Sequence, residues 1–262
     1  MKRNKELDSL LENHNLNERE KGKDSFEPWI GVNCEIHPND EIFRFVYEHP
    51  TSTNPLRDYF ADGWRTMYEL MVVLEKLEYH LTSCDSFLEF ASGYGRLTRH
   101  LAKFPGADKV HASDLMPESI EFIKEKFAVN GFYSDSDCAL VKFPRKYEIV
   151  FVLSLFSHLP RNSWGNWLEK LSSAVEPGGY LIFSTHGKGF AERNKVELDS
   201  EGFFFIANSE SDHLAGDEYG TTITAPEFVE GIVEKISGIE VVLFQADHFW
   251  AGQDVWVLKK SC

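Results

Sequence analysis

The chain has 262 residues, of which 42% are hydrophobic and 14% aromatic, as expected for a globular protein with a sizeable core. Its 27 Lys and Arg residues stand against 42 Asp and Glu residues, which gives a formal net charge of −15. Proteins that bind nucleic acids draw most of their affinity from basic side chains that neutralise phosphates. The charge therefore argues against a nucleic-acid partner.

The first twenty residues, MKRNKELDSLLENHNLNERE, contain no continuous apolar run. We therefore expect neither a secretory signal nor a membrane span there, and we predict a cytoplasmic protein without a membrane partner. The four cysteines lack the close spacing of a zinc site or a disulfide framework, so we expect reduced thiols.

Two segments of different composition precede the main domain. Residues 1–25 are charged and poor in large apolar side chains, which predicts a flexible tail or a frayed helix. Residues 26–80 are rich in aromatic side chains and include an apolar stripe at helical spacing over residues 64–81. We expect residues 26–80 to form an N-terminal helical cap, or lid, and residues 81–262 to form the main domain.

Predicted strands and helices alternate from residue 87 onward. Apolar runs predict strands, and amphipathic segments between them predict helices, one of which begins near Ser163 and another near Pro226. Such alternation predicts an α/β fold with a doubly wound, mainly parallel sheet. The last two runs, IEVVLFQAD and DVWVLKK, are joined by a short turn, so they must be antiparallel.

The stretch SFLEFASGYGRLTRHL, residues 86–101, leads from a buried strand through two glycines into a predicted helix. Glycines let backbone N–H groups approach a small anionic group, and the following helix adds donors and a favourable dipole. The same residues also fit a tight turn that requires a positive φ. A dinucleotide-binding loop would have a third glycine where Thr98 stands, if Gly93 and Gly95 are the first two.

The stretch resembles motif I of the class I S-adenosylmethionine-dependent methyltransferases, an acidic residue followed by alternating glycines. The motif here comprises Glu89, Ala91, Gly93 and Gly95, and Ala91 stands where the family most often has its first glycine. The resemblance extends over residues 55–260. It implies a Rossmann-like, seven-stranded sheet with an antiparallel last strand, and S-adenosylmethionine as the cofactor.

The resemblance also implies which residues contact this cofactor. Its carboxylate is expected at the N–H groups of Gly93 and Gly95, and its ammonium group near Glu89 and Ser154. A bulky side chain at Gly93 would then occupy the place of the cofactor.

Further positions fit the same cofactor. Asp114 follows the second predicted strand about 20 residues after the glycines, the distance at which a carboxylate reaches a ribose diol, and Leu115 adjoins it. The resemblance implies that Asp135 contacts the adenine amino group. It places Tyr59 and Gly63 in a lid over the cofactor carboxylate, although both also fit simple packing at the start of a helix.

Two histidines follow predicted strands at the carboxyl edge of the sheet, where open α/β sheets bind ligands. His186 is the candidate general base, a role worth about 10²–10⁴-fold, and we expect activity to rise through a pKa near 6.5. His158 is the candidate positioning residue. Packing or helix capping for His158, and a backbone hydrogen bond for His186, are the structural alternatives.

The resemblance implies methyl transfer to a hydroxyl group, or as a second choice an amine, of a small molecule such as a sugar or secondary metabolite. The segment SLFSHLP lacks the pattern of methyltransferases that act on nucleic-acid bases. No cluster of Asp, Asn and His has metal-like spacing, so we expect no catalytic metal. Two alternatives stay open: a nicotinamide-dependent reductase and a non-catalytic cofactor-binding protein. The sequence does not indicate an oligomeric state.

Overall fold

The structure, a computed structural model, describes residues 4–208 and 214–262. The α-helices of these residues are α1 (Lys5–Arg19), α2 (Glu27–Ile30), α3 (Glu41–Glu48), α4 (Pro55–Lys76), α5 (Thr98–Leu101), α6 (Ser119–Phe127), α7 (Arg161–Ser173), α8 (Lys188–Asn194) and α9 (Pro226–Val233). The strands are β1 (Phe87–Phe90), β2 (Val110–Asp114), β3 (Asn130–Tyr133), β4 (Tyr147–Val152), β5 (Val175–His186), β6 (Phe203–Ile206), β7 (Thr221–Thr224), β8 (Ile239–Phe249) and β9 (Gln253–Lys260). The chain divides into two compact units, residues 1–83 with 92–133 and residues 84–91 with 134–262.

The first unit begins with α1, a capped helix in the segment for which the sequence predicted a flexible tail or a frayed helix. The Asn4 side chain caps this helix by accepting hydrogen bonds from the N–H groups of Glu6 and Leu7. Leu7 and Leu11 lie on one face and are buried in an apolar cluster with side chains of residues 32–60. Burial of this face stabilises a helix whose charged composition suggested a tail.

Helix α4 confirms the helix predicted over residues 64–81, with different ends. It begins earlier because Asn54 caps it through a hydrogen bond from the Arg57 N–H group, and Pro55 suits its first turn. Its buried face includes Met67, Leu70 and Leu74. Within the described residues, no helix combines the length and the hydrophobicity needed to cross a membrane.

Two parallel strands complete the first unit. In the register of β2 and β3, Asp114 lies opposite Tyr133 at the carboxyl end of the pair. Helix α6 packs closely on these strands, since a Cβ added to Gly131 would lie 2.9 Å from an Ile120 methyl group. The pair therefore presents the side chain of Asp114 at its carboxyl end.

The second unit contains the remaining strands. Strands β1, β4 and β5 are parallel neighbours, and β4 is the buried central strand that its apolar run predicted. Strand β7 continues beside the end of β5, where His186 lies opposite Ile223, and forms an antiparallel pair with β6. The sequence did not predict β7, because the short run of Thr221–Thr224 is mostly polar.

Strand β9 is antiparallel to both β5 and β8 and therefore lies between them. The predicted antiparallel pair at the end of the chain is confirmed. The predicted fold class, an α/β fold with a mainly parallel sheet and a late antiparallel strand, is also confirmed. The β6–β7 hairpin adds two strands to the seven that the resemblance implied.

Candidate functional site

The glycine loop follows β1. Gly93 and Gly95 have φ values of 56° and 83°, so both occupy the left-handed region that favours glycine. A Cβ added to Gly95 would lie 2.5 Å from the Phe127 ring, whereas one added to Gly93 meets no atom within 4 Å. Gly95 is therefore required for packing, and Gly93 borders open space.

The N–H groups of this loop were expected to donate hydrogen bonds to the cofactor carboxylate, but they donate to protein groups. The Gly93 N–H donates to the Asp114 carboxylate over 2.7 Å, and the Gly95 N–H donates to the Ser92 carbonyl over 3.1 Å. These hydrogen bonds belong to the tight turn that was the alternative interpretation of the loop. Both amides thus have partners within the protein, and the feature of the loop that fits a ligand is the open space at Gly93.

Asp114 organises the same loop from β2. Its side chain is buried, with Oδ2 accepting the Gly93 N–H and Oδ1 accepting the Met116 N–H over 2.9 Å. Burial raises the pKa of this carboxyl group, and the hydrogen bonds from the Met116 and Gly93 N–H groups oppose that shift. The Leu115 N–H also hydrogen-bonds this carboxylate, so about one of its four lone-pair sites stays available. The neighbouring Leu115 is half-buried.

The helix after the loop is shorter than expected. Helix α5 has only four residues, so a long helix does not supply the predicted dipole. Its Arg99 is 2% exposed and donates hydrogen bonds to the carbonyl groups of Gly95 and Asn33. Arg99 therefore ties the glycine loop to the N-terminal segment.

Tyr59 and Gly63 have packing contacts within the first unit. Tyr59 is fully buried, and its hydroxyl group donates to the Asp40 carboxylate over 2.6 Å. A Cβ added to Gly63 would lie 2.6 Å from the Arg96 carbonyl oxygen, so this position requires glycine for close packing. These contacts match the packing alternative, and the lid role of both residues stays a prediction.

The second unit contains Glu89, Ala91 and Asp135. Glu89 is a buried residue of β1, opposite Phe151. Ala91 has a φ of 59°, a conformation that is costly for a side chain with a Cβ, which gives a physical reason for the glycine preference at this position of motif I. Asp135 is half-buried and accepts a hydrogen bond from the Asp137 N–H over 3.0 Å.

Ser154, directly after β4, belongs to a hydrogen-bonded ring of three side chains. Its N–H donates to Ser184 Oγ over 2.8 Å, and that hydroxyl donates to Gln253 Oε1 over 2.6 Å. The Gln253 Nε2 closes the ring by donating to Ser154 Oγ over 2.7 Å. Ser184 and Gln253 were not predicted, because they lie 30 and 99 residues from Ser154 along the chain and give no local signal.

The two candidate catalytic histidines are near each other in the second unit. Their ring centroids are 6.3 Å apart. His158 stacks on Tyr219, and its Nδ1 lies 2.7 Å from the Gly220 carbonyl oxygen, which assigns the proton to Nδ1. His186 is buried and stacks on Phe190 with centroids 3.8 Å apart.

Burial, with a smaller contribution from His158, lowers the pKa of His186 to about 4. The prediction that this histidine titrates near 6.5 is therefore wrong, because it neglected desolvation of the imidazolium form. The Nδ1 atom of His186 has no hydrogen-bond partner among the described residues. His186 is thus a neutral imidazole at pH 7 and a weaker base than an exposed histidine.

An open cavity of about 550 Å³ in the second unit is lined by Arg161, Leu198 and residues 203–205, among others, and by none of the predicted site residues. Among residues 4–208 and 214–262, no three His, Cys, Asp or Glu side chains are arranged to hold a metal ion.

Comparison with known proteins identifies the domain. Residues 87–179 match a family model described as a methyltransferase domain. Two curated relatives are malonyl-[acyl-carrier protein] O-methyltransferases. The protein from Prosthecochloris aestuarii is 26% identical over 142 residues, and the protein from Acetivibrio thermocellus is 28% identical over 140 residues. These matches cover 51% and 49% of this chain, and the chain spans about half the length of these curated relatives, 51% and 48%.

A solved structure shares the fold. The magnesium protoporphyrin IX methyltransferase of Synechocystis, with bound S-adenosylhomocysteine, superposes with a TM-score of 0.55 at 16% identity, over 84% of this chain and 93% of that chain. The segment that matches the family model includes β1, Gly93, Asp114 and Ser154. Residues 87–179 therefore match a methyltransferase domain, and the chain shares the fold of S-adenosylmethionine-dependent methyltransferases.

Proposed function

We propose that this protein transfers a methyl group from S-adenosylmethionine to an oxygen atom of a small or carrier-bound acceptor. The observation that carries the cofactor assignment is the open space at Gly93, where an added Cβ meets no atom within 4 Å. This space lies in a motif I loop whose other glycine, Gly95, is closely packed against Phe127.

The residues present fit this cofactor. Asp114 accepts hydrogen bonds from the Met116, Gly93 and Leu115 N–H groups and retains capacity for about one more, so it is suited to a ribose hydroxyl. We also propose the cofactor contacts that the sequence predicted for three residues of the second unit, namely Glu89, Asp135 and Ser154. When bound, S-adenosylmethionine supplies a methyl group already activated by its sulfonium. The protein then contributes chiefly by holding the donor and acceptor in line, which can be worth about 7–11 kcal/mol.

For a hydroxyl acceptor we assign His186 as the proton acceptor and His158 as a positioning residue. A neutral imidazole has one nitrogen with a free lone pair, and Nδ1 of His186 is the ring atom without a partner among the described residues. This atom is buried, so proton transfer requires the acceptor hydroxyl to gain access to it. His158 hydrogen-bonds the Gly220 carbonyl group and stacks on Tyr219. Its electrostatic interaction with His186 contributes to the low pKa of His186.

A carboxylate acceptor is the second candidate. A pKa of about 4 makes His186 a weak base, and a carboxylate is already ionised at neutral pH and needs no base. The names of the two curated relatives describe O-methylation of a malonyl group on an acyl-carrier protein. An acyl-carrier substrate is therefore a specific form of this candidate.

A transfer assay with S-adenosylmethionine labelled on its methyl group tests the proposal. The acceptor panel should contain sugars with free hydroxyls, amines, and free and carrier-bound malonyl groups. We expect labelled product from a hydroxyl or carboxylate acceptor. Methylation confined to amines would contradict O-methylation, and turnover of none of the classes together with tight S-adenosylhomocysteine binding would favour the non-catalytic alternative.

The same assay distinguishes the two acceptor classes. We expect His186→Ala to slow transfer to a hydroxyl about 10²-fold or more and to leave transfer to a carboxylate largely unchanged. His80→Ala, at an exposed histidine of the first unit, is the matched control and should not change either rate.

A further inference from the structure

The closed ring of Ser154, Ser184 and Gln253 joins three distant parts of the second unit. Ser154 follows β4, Ser184 lies in β5 and Gln253 begins β9. We propose that Gln253 is a positioning residue that holds the segment after β4, residues 154–158, in its cofactor-binding conformation. The assignment of this segment to the cofactor rests on the proposed function.

The conformation of Ser154 requires support. Its φ of 63° lies in the left-handed region, which is unfavourable for a residue with a Cβ. Residues in such conformations persist when surrounding contacts fix them. The ring supplies these contacts, because it fixes both the backbone N–H and the side-chain oxygen of Ser154.

Gln253 is the member of the ring that connects the other two side chains. Its Oε1 accepts from Ser184, and its Nε2 donates to Ser154. Ser184 is 0% exposed and Gln253 is 3% exposed, so water cannot readily replace the hydrogen bond between these two side chains. Loss of the Gln253 amide would leave Ser184 and Ser154 without these partners.

The conformation of Ser154 also determines the path of the following residues. The Ser154 carbonyl accepts a hydrogen bond from Ser157 Oγ over 2.7 Å, and the His158 N–H donates to the Leu155 carbonyl over 3.0 Å. Gln253 lies opposite His186 in the register of β5 and β9. The Gln253 side chain therefore supports the segment that bears His158. The Gln253 backbone pairs with that of His186, the other candidate catalytic histidine.

Four variants test this inference: Gln253→Ala, Ser154→Gly, the double variant, and Val255→Ala as a control. Val255 is fully buried in the same strand, so its truncation lowers stability without removing a hydrogen bond of the ring. Glycine tolerates a positive φ, so Ser154→Gly should make the conformation after β4 less dependent on Gln253. The first measurement is hydrogen exchange of the residue 154 amide in the ligand-free protein, and the second is S-adenosylhomocysteine affinity by calorimetry.

We expect Gln253→Ala to accelerate exchange at residue 154 and to weaken S-adenosylhomocysteine binding, each about tenfold or more, which corresponds to about 1.4 kcal/mol. In the Ser154→Gly background, both effects of Gln253→Ala should shrink severalfold. Val255→Ala should lower the melting temperature without changing either quantity.

Unchanged exchange at residue 154 in Gln253→Ala would overturn the inference. It would also be overturned if Gln253→Ala had the same effects in the wild-type and Ser154→Gly backgrounds. A wild-type protein that does not bind S-adenosylhomocysteine would instead contradict the proposed function. The exchange measurement would then still decide whether Gln253 holds the segment.

Discussion

The Gly93 N–H and the Asp114 carboxylate are joined by a hydrogen bond of 2.7 Å between residues 21 positions apart in sequence. The carboxylate that is assigned to the ribose of the cofactor therefore also shapes the loop that borders the cofactor. Its other oxygen accepts the Met116 N–H, so a single buried side chain fixes the turns after β1 and β2. Loop geometry and cofactor affinity should consequently depend on the same residue.

The first prediction concerns this dual role. Asp114→Ala leaves the backbone N–H groups of Gly93, Leu115 and Met116 without this acceptor, so we expect lower stability by about 1–3 kcal/mol for each group that stays unsatisfied. Binding of S-adenosylhomocysteine should weaken by about 1.5–3 kcal/mol for each charge-assisted hydrogen bond lost. Denaturant unfolding and calorimetry measure the two effects.

Asp199→Ala is the matched control, because this exposed carboxylate also accepts two backbone N–H groups, those of Glu201 and Phe203, away from the proposed cofactor contacts. It should leave affinity unchanged. A folded Asp114→Ala protein with wild-type affinity would remove Asp114 from the cofactor site.

The second prediction separates the two glycines of the loop. Gly95→Ala places a Cβ 2.5 Å from the Phe127 ring at a φ of 83°, so overpacking should destabilise the fold by about 1–3 kcal/mol. Gly93→Ala meets no protein atom and should destabilise by about 1–2 kcal/mol, the cost of its left-handed conformation.

For cofactor binding, Gly93→Ala should have a larger effect than Gly95→Ala. The Gly93→Ala methyl group extends into the space assigned to the cofactor, so affinity for S-adenosylhomocysteine should fall about tenfold or more, or at least 1.4 kcal/mol. Thermal unfolding and calorimetry on both variants give the comparison. Wild-type affinity in Gly93→Ala would show that the open space does not hold the cofactor.

The third prediction concerns pH and His186. Its folded pKa of about 4 lies below the ordinary value of 6.5, so the unfolded chain binds a proton between these values while the folded protein does not. The free energy of unfolding should therefore rise with pH across this window, and His186→Asn should reduce the rise. Above pH 6, single-turnover transfer to a hydroxyl should show no ionisation that belongs to His186. A rate that rises through pH 6.5 in the wild type, and not in His186→Asn, would contradict the low pKa.

The fourth prediction concerns Asp254, which lies outside the candidate site. Its carboxylate is buried beside Gly187 and accepts the Asp247 N–H over 2.9 Å. Burial raises its pKa to about 6, and the Asp247 charge adds to the shift. Because the folded pKa lies above the unfolded value of 3.8, the stability contributed by this group is fully present below pH 3.8 and is lost as pH rises through about 6.

Asp254→Asn should consequently raise the melting temperature relative to the wild type more at pH 7.5 than at pH 4.5. The exposed Asp217→Asn substitution is the control and should give the same small difference at both pH values. A gain for Asp254→Asn that is independent of pH would show that the carboxyl group does not titrate in this window.

The fold was predictable where the apolar residues of a segment had the spacing of a strand or a helix. The apolar run of β4 and the spaced apolar residues of α4 were sufficient to identify both elements. For residues 1–25 the sequence left a flexible tail and a frayed helix open, because Leu7 and Leu11 acquire a buried partner surface only in the folded unit. Strand β7 has little apolar pattern of its own and is stabilised by pairing with β6.

The candidate site was predictable only in part. Local sequence identified Gly93, Gly95 and Asp114, because their spacing reflects one strand–turn–helix unit and the strand that follows it. The hydrogen bonds of Ser154 with Ser184 and Gln253 join residues 30 and 99 positions apart, which leaves no local pattern. The pKa of His186 depends on its burial, and one sequence does not reveal the burial of a loop histidine.

Calorimetry with S-adenosylhomocysteine, and with NADH in parallel, measures which cofactor the glycine loop binds. We expect S-adenosylhomocysteine to bind in the low micromolar range or tighter, about −8 kcal/mol at 1 μM, and NADH binding to be negligible. This follows from the absence of a third glycine at Thr98 and from the antiparallel strand β9 beside β5. Preferential binding of NADH would contradict assignment of the glycine loop to S-adenosylmethionine.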